Sequence, residues 1–355
     1  MAYDIAEAQQ LVIRAGKELL GSGLVARTWG NMSARISESQ FVITPSGLPY
    51  ETLTPGDIVA VSIADCTYEG DVKPSSEKGV HAAVYRQHPE ADFVIHTHQN
   101  YATDLSILGR NLRILPGGAA SELLGECVPC ARYGLSSTKT LTRNVEEELI
   151  RHPSSRAVLM RNHGAVCFGD SYEEAFRVAH TLEDECRRRY GKLTGSRPPA
   201  YSLRDHGRVF LRGSSKEQPE YEAIFRAKPA AGCVIFTDAP CIREYSAYGI
   251  PLLPYVDDLA QLVGAAIPVR RADASPEAIA RAVKGTTGAV LLRNTGAIVT
   301  GENREDAEAL AMILDKACQM GLLARCGWSV QAVSPAVAIY EHLHYVHSYS
   351  RLATR

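Results

Sequence analysis

Apolar positions along the chain alternate between a helical spacing of three and four residues and short, dense apolar runs, so the pattern predicts helices interleaved with strands. Residues 5–20 (IAEAQQLVIRAGKELL) carry the helical spacing and run into Gly21 and Gly23, which predicts an amphipathic helix with a glycine stop. FVIT (41–44) and DIVAVSI (57–63) are short, rich in β-branched residues and separated by Pro and Gly, and they predict strands. EKGVHAAVYRQHP predicts a helix closed by Pro89, with Ser75 or Ser76 as its cap, and FVIHTH after it predicts a buried strand. AVLMRN (157–162) predicts a further strand, which leads through GA and FGD to a long helix over 171–191. Helices and strands in this order argue for a layered α/β protein.

The pattern also repeats. Residues 157–179 lie over 289–311 without a gap at an offset of 132, with eleven identities in 23 positions. HPEADFVIHTH (88–98) lies over KPAAGCVIFTD (228–238) at an offset of 140, and the helix before it, SSEKGVHAAVYRQ, lies over SKEQPEYEAIFRA. The chain therefore reads as a tandem duplication whose second copy is truncated at its start. The polar, proline-bearing stretch TGSRPPAYSLRDHG (194–207) is the expected linker, giving domains 1–197 and 207–355.

Composition narrows the function. Thirty-eight basic residues against 40 acidic ones, a net charge of -2, exclude nucleic acid or anionic membrane as a partner held by net charge alone. No apolar run approaches the roughly 18 residues of a membrane span, and the amino terminus lacks a secretory pattern, so a cytoplasmic protein is expected. Nine scattered cysteines fit reduced thiols, and Cys127 and Cys130 of the CVPC stretch read as packed thiols.

Comparison of the two copies separates fold from chemistry. Both keep apolar strand and turn positions, including Arg161, Asn162 and Gly164, which match Arg293, Asn294 and Gly296. They differ in histidine: His96, His98 and His163 become Phe236, Asp238 and Thr295. Three histidines lost together behave as one unit that the fold does not require. His96 and His98, two apart on a strand, share a face, and His163 at the end of another strand would complete a three-imidazole set with positions left open for substrate. Zinc suits such a set, as do manganese, iron and cobalt. His81, His88 and His180 lack this context and read as surface or helix-face residues, and His342, His344 and His347 near the carboxy terminus carry only a weak metal signal. Upstream, GNMS (30–33), TPSG (44–47) and PSSE (74–77) combine small residues with neutral donors, and together can cradle a phosphate.

These five motifs, GNMS, TPSG, PSSE, HTH and NHG, in this order and at this spacing, resemble the class II aldolase/adducin family, and within it the L-fuculose-1-phosphate aldolases; the likeness covers about residues 5–190. The resemblance implies a layered αβα domain with a central, largely antiparallel sheet. It implies that His96, His98 and His163 hold zinc or a similar divalent ion, and that Gly30, Asn31, Ser46, Gly47, Ser75 and Ser76 bind substrate phosphate. Glu77 would be the acid/base residue and a metal ligand when substrate is absent. The implied reaction is cleavage of a small phosphorylated ketose to dihydroxyacetone phosphate and an aldehyde. A sugar-phosphate decarboxylase or epimerase of the same family, or an adducin-like scaffold, is the alternative. Glu217 matches Glu77 in the second copy and reads as a relic.

One departure concerns a tyrosine that the family's aldolases take from an adjacent subunit. The first copy lacks it, whereas the second reads IPLLPY, placing Tyr255 opposite Ala120 when Pro251 is laid on Pro116. This leads to the expectation of a homo-oligomer, with two chains forming a four-domain ring in which Tyr255 serves a neighbouring site.

Overall fold

The computed structural model describes residues 2–22, 29–196, 198, 201–213, 219–284 and 287–349. The chain divides after Gly191 into two compact units, the second ending at Ser348. Strands of the first unit are β1 (Gly30–Arg35), β2 (Gln40–Ile43), β3 (Val59–Ser62), β4 (Phe93–Thr97), β5 (Leu112–Arg113), β6 (Cys127–Val128), β7 (Cys130–Ala131), β8 (Ala157–Met160) and β9 (Gly164–Gly169). Its helices are α1 (Ile5–Ser22), α2 (Lys78–Gln87), α3 (Asn100–Ser106), α4 (Ala119–Leu124), α5 (Lys139–Arg151) and α6 (Tyr172–Thr194), the last running just past the division. Seven strands form one sheet in the order β3-β2-β1-β4-β9-β8-β7, antiparallel except for the β7–β8 pair.

The pleat sorts side chains to the two faces. On one, Phe41, Val61, Val94, Val158 and Phe168 pack against Val84 of α2 and Leu141 and Val145 of α5. On the other, Phe93 meets the edge of Tyr172 at the start of α6, with ring centroids 5.2 Å apart. Alternation therefore puts Asn31, Ser33 and His96 on the α2 side of the sheet, among otherwise apolar neighbours. The sequence placed the Ser75 or Ser76 side chain as the cap of α2. Instead Glu77 is the cap residue, with φ -98° and ψ 13°, and Ser75 Oγ accepts from the Glu77 amide. The chain enters the helix one residue later than the motif implies, and the Glu77 side chain makes no capping bond to the helix.

In the second unit the stretch expected as linker contains α7 (Leu203–His206), and β10 (Gly207–Leu211) follows at once; Pro199 lies outside the described residues, as does Glu217. Then come α8 (Pro219–Ala227), β11 (Cys233–Thr237), α9 (Pro240–Ala247), α10 (Asp257–Val263), β12 (Val269–Arg270), α11 (Pro276–Val283), β13 (Ala289–Leu292), β14 (Gly296–Gly301), α12 (Arg304–Arg325) and α13 (Pro335–His344). The five-stranded sheet β10-β11-β14-β13-β12 reproduces β1-β4-β9-β8-β7, parallel pair included. Among the described residues that sheet has no counterparts of β2 and β3, which is the structural form of the truncation.

Details of backbone repeat as well as topology. Asn162 and Asn294 both adopt left-handed conformations, at φ 59° and 61°, in the turns between β8 and β9 and between β13 and β14. A Cβ on Gly164 would lie 2.3 Å from the Thr97 carbonyl oxygen, and one on Gly296 would lie 2.2 Å from that of Thr237. Both hairpins thus need glycine where they cross the neighbouring strand, whether or not histidines are present.

Candidate functional site

The three histidines converge where β4 ends beside the β8–β9 turn. His96 Nε2 lies 2.9 Å from His98 Nε2 and 3.1 Å from His163 Nε2. His96 and His163 are buried and His98 is half-buried, so the cluster is reached from the His98 side. His96 Nδ1 sits 2.9 Å from the Ala165 carbonyl oxygen. That oxygen only accepts, so Nδ1 carries a proton and Nε2 is the nitrogen turned into the cluster, where it bears a proton toward Glu77 or, once that proton is displaced, offers its lone pair to a metal. One ligand atom from each histidine lies within 4.8 Å of the others, and no second group of this kind occurs among the described residues. His342 instead meets the Gln261 carbonyl through Nδ1, at 2.8 Å.

Glu77 closes the cluster. Its Oε2 is 3.1 Å from His96 Nε2 and its Oε1 is 3.1 Å from His163 Nε2. Asn31 Nδ2 donates to Oε2 at 3.2 Å and Ser136 Oγ donates to Oε1 at 3.2 Å, so each carboxylate oxygen has one imidazole and one neutral donor. Burial pushes the Glu77 carboxyl up, but the charges of His96 and His163 and their hydrogen bonds outweigh it and hold the group well below the usual carboxylate range. Three imidazole nitrogens and an ionised carboxylate are a donor set that divalent transition ions accept.

Of the candidate phosphate residues, Asn31 and Ser75 touch Glu77 and Ser76 precedes it in the chain. Gly30 pairs with Thr97 and Asn31 with His96 across β1 and β4. The loops carrying Ser46 and Gly47 and carrying Ser75 and Ser76 are joined by a Pro45–Pro74 bridge, by Ser46 N–H donating to the Lys73 carbonyl and by Ser75 N–H donating to the Thr44 carbonyl. Gly47 is left-handed, at φ 76°, which turns its loop. Ser137 Oγ donates to Ser76 Oγ at 2.7 Å. Ser136 and Ser137 were not singled out in the sequence, although GLSST (134–138) has the same small, polar character as the three loops that were.

His81 corrects a sequence expectation. It is fully buried, with Nδ1 2.7 Å from Ser33 Oγ and Nε2 2.5 Å from Asn31 Oδ1. Its helical spacing placed it on a face that α2 turns inward. Cys130 is buried and its thiol is pushed up to about 12 by desolvation, which leaves that thiol unreactive.

In the second unit Phe236 occupies the place of His96, and the Arg208 guanidinium stacks over its ring at 4.6 Å. Asp238, at the place of His98, faces His206 at 3.6 Å. Tyr255 is half-buried, and desolvation raises its pKa while Arg325 lowers it. The bridge between Leu252 and Ile267 repeats the Leu112–Val128 pair, at offsets of 140 and 139, so Tyr255 stands opposite Leu115 or Pro116, not Ala120; pairing proline with proline slipped the register.

The family model for the class II aldolase and adducin N-terminal domain matches the chain twice, over residues 10–190 and 188–322. The chain is 36% identical over 176 residues to a 5-deoxy-D-ribulose 1-phosphate aldolase of Bacillus thuringiensis, covering 48% of this chain and 79% of that protein. It is 34% identical over 166 residues to L-fuculose phosphate aldolase of Escherichia coli, covering 47% of this chain and 74% of that one. Among solved structures, an L-fuculose 1-phosphate aldolase is 28% identical with a TM-score of 0.48, covering 56% of this chain and 92% of its own.

Proposed function

The chain belongs to the class II aldolase and adducin family, and from that membership and the His96, His98, His163 and Glu77 cluster we propose that it is a divalent-metal-dependent aldolase. Its substrate is a small ketose 1-phosphate, and its products are dihydroxyacetone phosphate and an aldehyde. The observation that carries the reading is the Glu77 carboxylate, 3.1 Å from two converging Nε2 atoms in the half that has them. The aldolase names of the two relatives support the reaction class.

When bound at the three histidines, zinc, manganese, iron or cobalt supplies a Lewis acid that polarises the substrate carbonyl and its neighbouring hydroxyl. In cleavage the hydroxyl that becomes the aldehyde oxygen gives its proton to water, the carbon–carbon bond breaks, and the carbon left behind takes up a proton, so that the two transfers balance. Glu77 carries that last proton, with its two oxygens oriented by Asn31 and Ser136. Gly30, Asn31, Ser46, Gly47, Ser75 and Ser76 hold the phosphate. Because the Ser46 and Ser75 amides tie their loops together, the donors at those two positions are hydroxyls. The positive end of α2 faces the same loops. Tyr255, from the second unit of a neighbouring chain in a homo-oligomer, serves the aldehyde fragment.

The test is a panel of ketose 1-phosphates offered to protein reconstituted with each of the four ions. Release of dihydroxyacetone phosphate and aldehyde in equal amounts is expected from at least one pair. Binding without any release would contradict the reading.

A further inference from the structure

Four polar side chains lie behind Glu77, linked end to end. Tyr85 OH is 2.8 Å from Ser33 Oγ, Ser33 Oγ is 2.7 Å from His81 Nδ1, His81 Nε2 is 2.5 Å from Asn31 Oδ1, and Asn31 Nδ2 is 3.2 Å from Glu77 Oε2. All five residues are buried. The direction of every bond follows from the carboxylate end. The Asn31 amide presents its NH2 to the Glu77 carboxyl and its carbonyl oxygen to His81. That oxygen only accepts, so His81 Nε2 bears the proton. Burial, reinforced by the charge of His96, pushes the His81 pKa down to about 3 and keeps the ring neutral. Neutral His81 then accepts at Nδ1, Ser33 donates there, and Tyr85 donates to Ser33.

The second unit shows that the fold does not need this chain. Asn31, Ser33, His81 and Tyr85 correspond to Arg208, Phe210, Tyr221 and Phe225, by the shared strand register and the offset of the helices. Phe210 and Tyr221 stack with centroids 3.9 Å apart where Ser33 and His81 hydrogen-bond. An apolar pair therefore fills the same space between strand and helix. The polar chain disappears together with the three histidines, while Arg35, Arg161 and Asn162 keep their counterparts.

We propose that His81 is a positioning residue for Glu77, acting through Asn31: it locks the Asn31 amide with its NH2 toward the carboxylate, and so fixes the plane in which Glu77 meets the cluster and the substrate. This rests on the reading of Glu77 as the acid/base group. Without the His81 donor the amide can turn over, and its oxygen would then repel the carboxylate.

His81→Phe keeps the ring volume and removes both links, and His81→Gln keeps an N–H that reaches Asn31. On the substrate found by the panel, His81→Phe is expected to lower kcat about 10- to 100-fold with KM within about threefold and metal content unchanged. His81→Gln is expected to restore most of the loss. Should His81→Phe fail to fold, Ser33→Ala, which releases the His81 tautomer, is expected to lower kcat in the same selective way. A kcat within twofold of the parent in folded His81→Phe or Ser33→Ala protein overturns the proposal, as does a loss that His81→Gln does not relieve. An independent readout is the 15N side-chain amide resonance of Asn31. It should move in Glu77→Gln, and that response should vanish when His81 is Phe. If no ketose 1-phosphate is cleaved but the resonance behaves as stated, the aldolase reading falls and the positioning stands. If the resonance ignores His81, the positioning falls.

Discussion

Arg35 and Arg212 hold the same post in the two halves of the chain. Arg35 lies 4.7 Å above the Tyr85 ring and donates to the carbonyls of Tyr85, His88 and Ala91, while Arg212 lies 4.8 Å above the Phe225 ring and donates to those of Phe225, Lys228, Pro229 and Ala231. Each ties the end of a helix to the sheet beside it, satisfying carbonyls that the helix leaves open. The pair marks what duplication preserved, against which the lost histidines and the lost polar chain stand out as chemistry.

The two arginines differ in exposure, Arg35 being buried and Arg212 exposed. Arg35→Ala should cost about 2–4 kcal/mol, since buried carbonyls lose a charged donor, and Arg212→Ala about 1 kcal/mol because water replaces it. Hydrogen exchange of residues 85–91 and 225–231 reads each end separately. Equal losses at both would show that exposure does not set the cost.

Metal stoichiometry should follow the histidines. One equivalent per chain is expected by elemental analysis, falling below about a tenth in His96→Ala and unchanged in Phe236→Ala. Two equivalents per chain would mean that the second unit has a site of its own.

Asp315 on α12 repeats the position of Glu183 on α6. Glu183 accepts from the amides of Tyr101 and Ala102 at 2.8 and 3.0 Å, whereas the shorter Asp315 bonds the Ile242 amide and leaves Oδ1 buried without a hydrogen-bond partner. Desolvation raises its pKa to about 7, partly offset by the Ile242 amide. The folded state then binds the proton more tightly than the unfolded chain. The contribution of this group to stability is greatest below the unfolded value near 4, falls as pH rises toward 7, and levels off above it. The span is about 4 kcal/mol. Denaturant unfolding at pH 5 and pH 7.5 should show about 2.5 kcal/mol of that span, and Asp315→Asn should remove most of it; a slope unchanged in Asp315→Asn assigns the dependence elsewhere.

The tyrosine proposal has its own test. Tyr255→Phe should lower turnover about 10-fold or more with the metal retained. Unchanged turnover in Tyr255→Phe, alongside its loss in Glu77→Gln, removes Tyr255 from the reaction.

Much of the site was legible because its residues lie in short, ordered motifs and because the chain contains its own control copy. His96 and His98 share a strand face by period alone, and the loss of His163 with them in the second half joined the three. The long helices and apolar strands followed from spacing in the same way. What was not legible depends on contacts between distant segments. His81 reads as a helix-face residue until β1 is seen to bring Ser33 and Asn31 against it, 48 and 50 residues away. Ser136 reaches Glu77 across 59 residues. Two-residue strands such as β7 and β12 exist only through their pairing. Tyr255 was misplaced because a shared proline is a weaker guide to register than the Leu252–Ile267 bridge.

The role of Glu77 as the proton carrier is decided by the turnover of Glu77→Gln protein, measured with its metal content on the ketose 1-phosphate that the parent cleaves. Glutamine keeps the shape of the side chain and removes its charge and its capacity to carry a proton. In Glu77→Gln, kcat should fall about 1000-fold while at least half of the metal remains bound. Turnover within a few-fold of the parent, with metal in place, would contradict it.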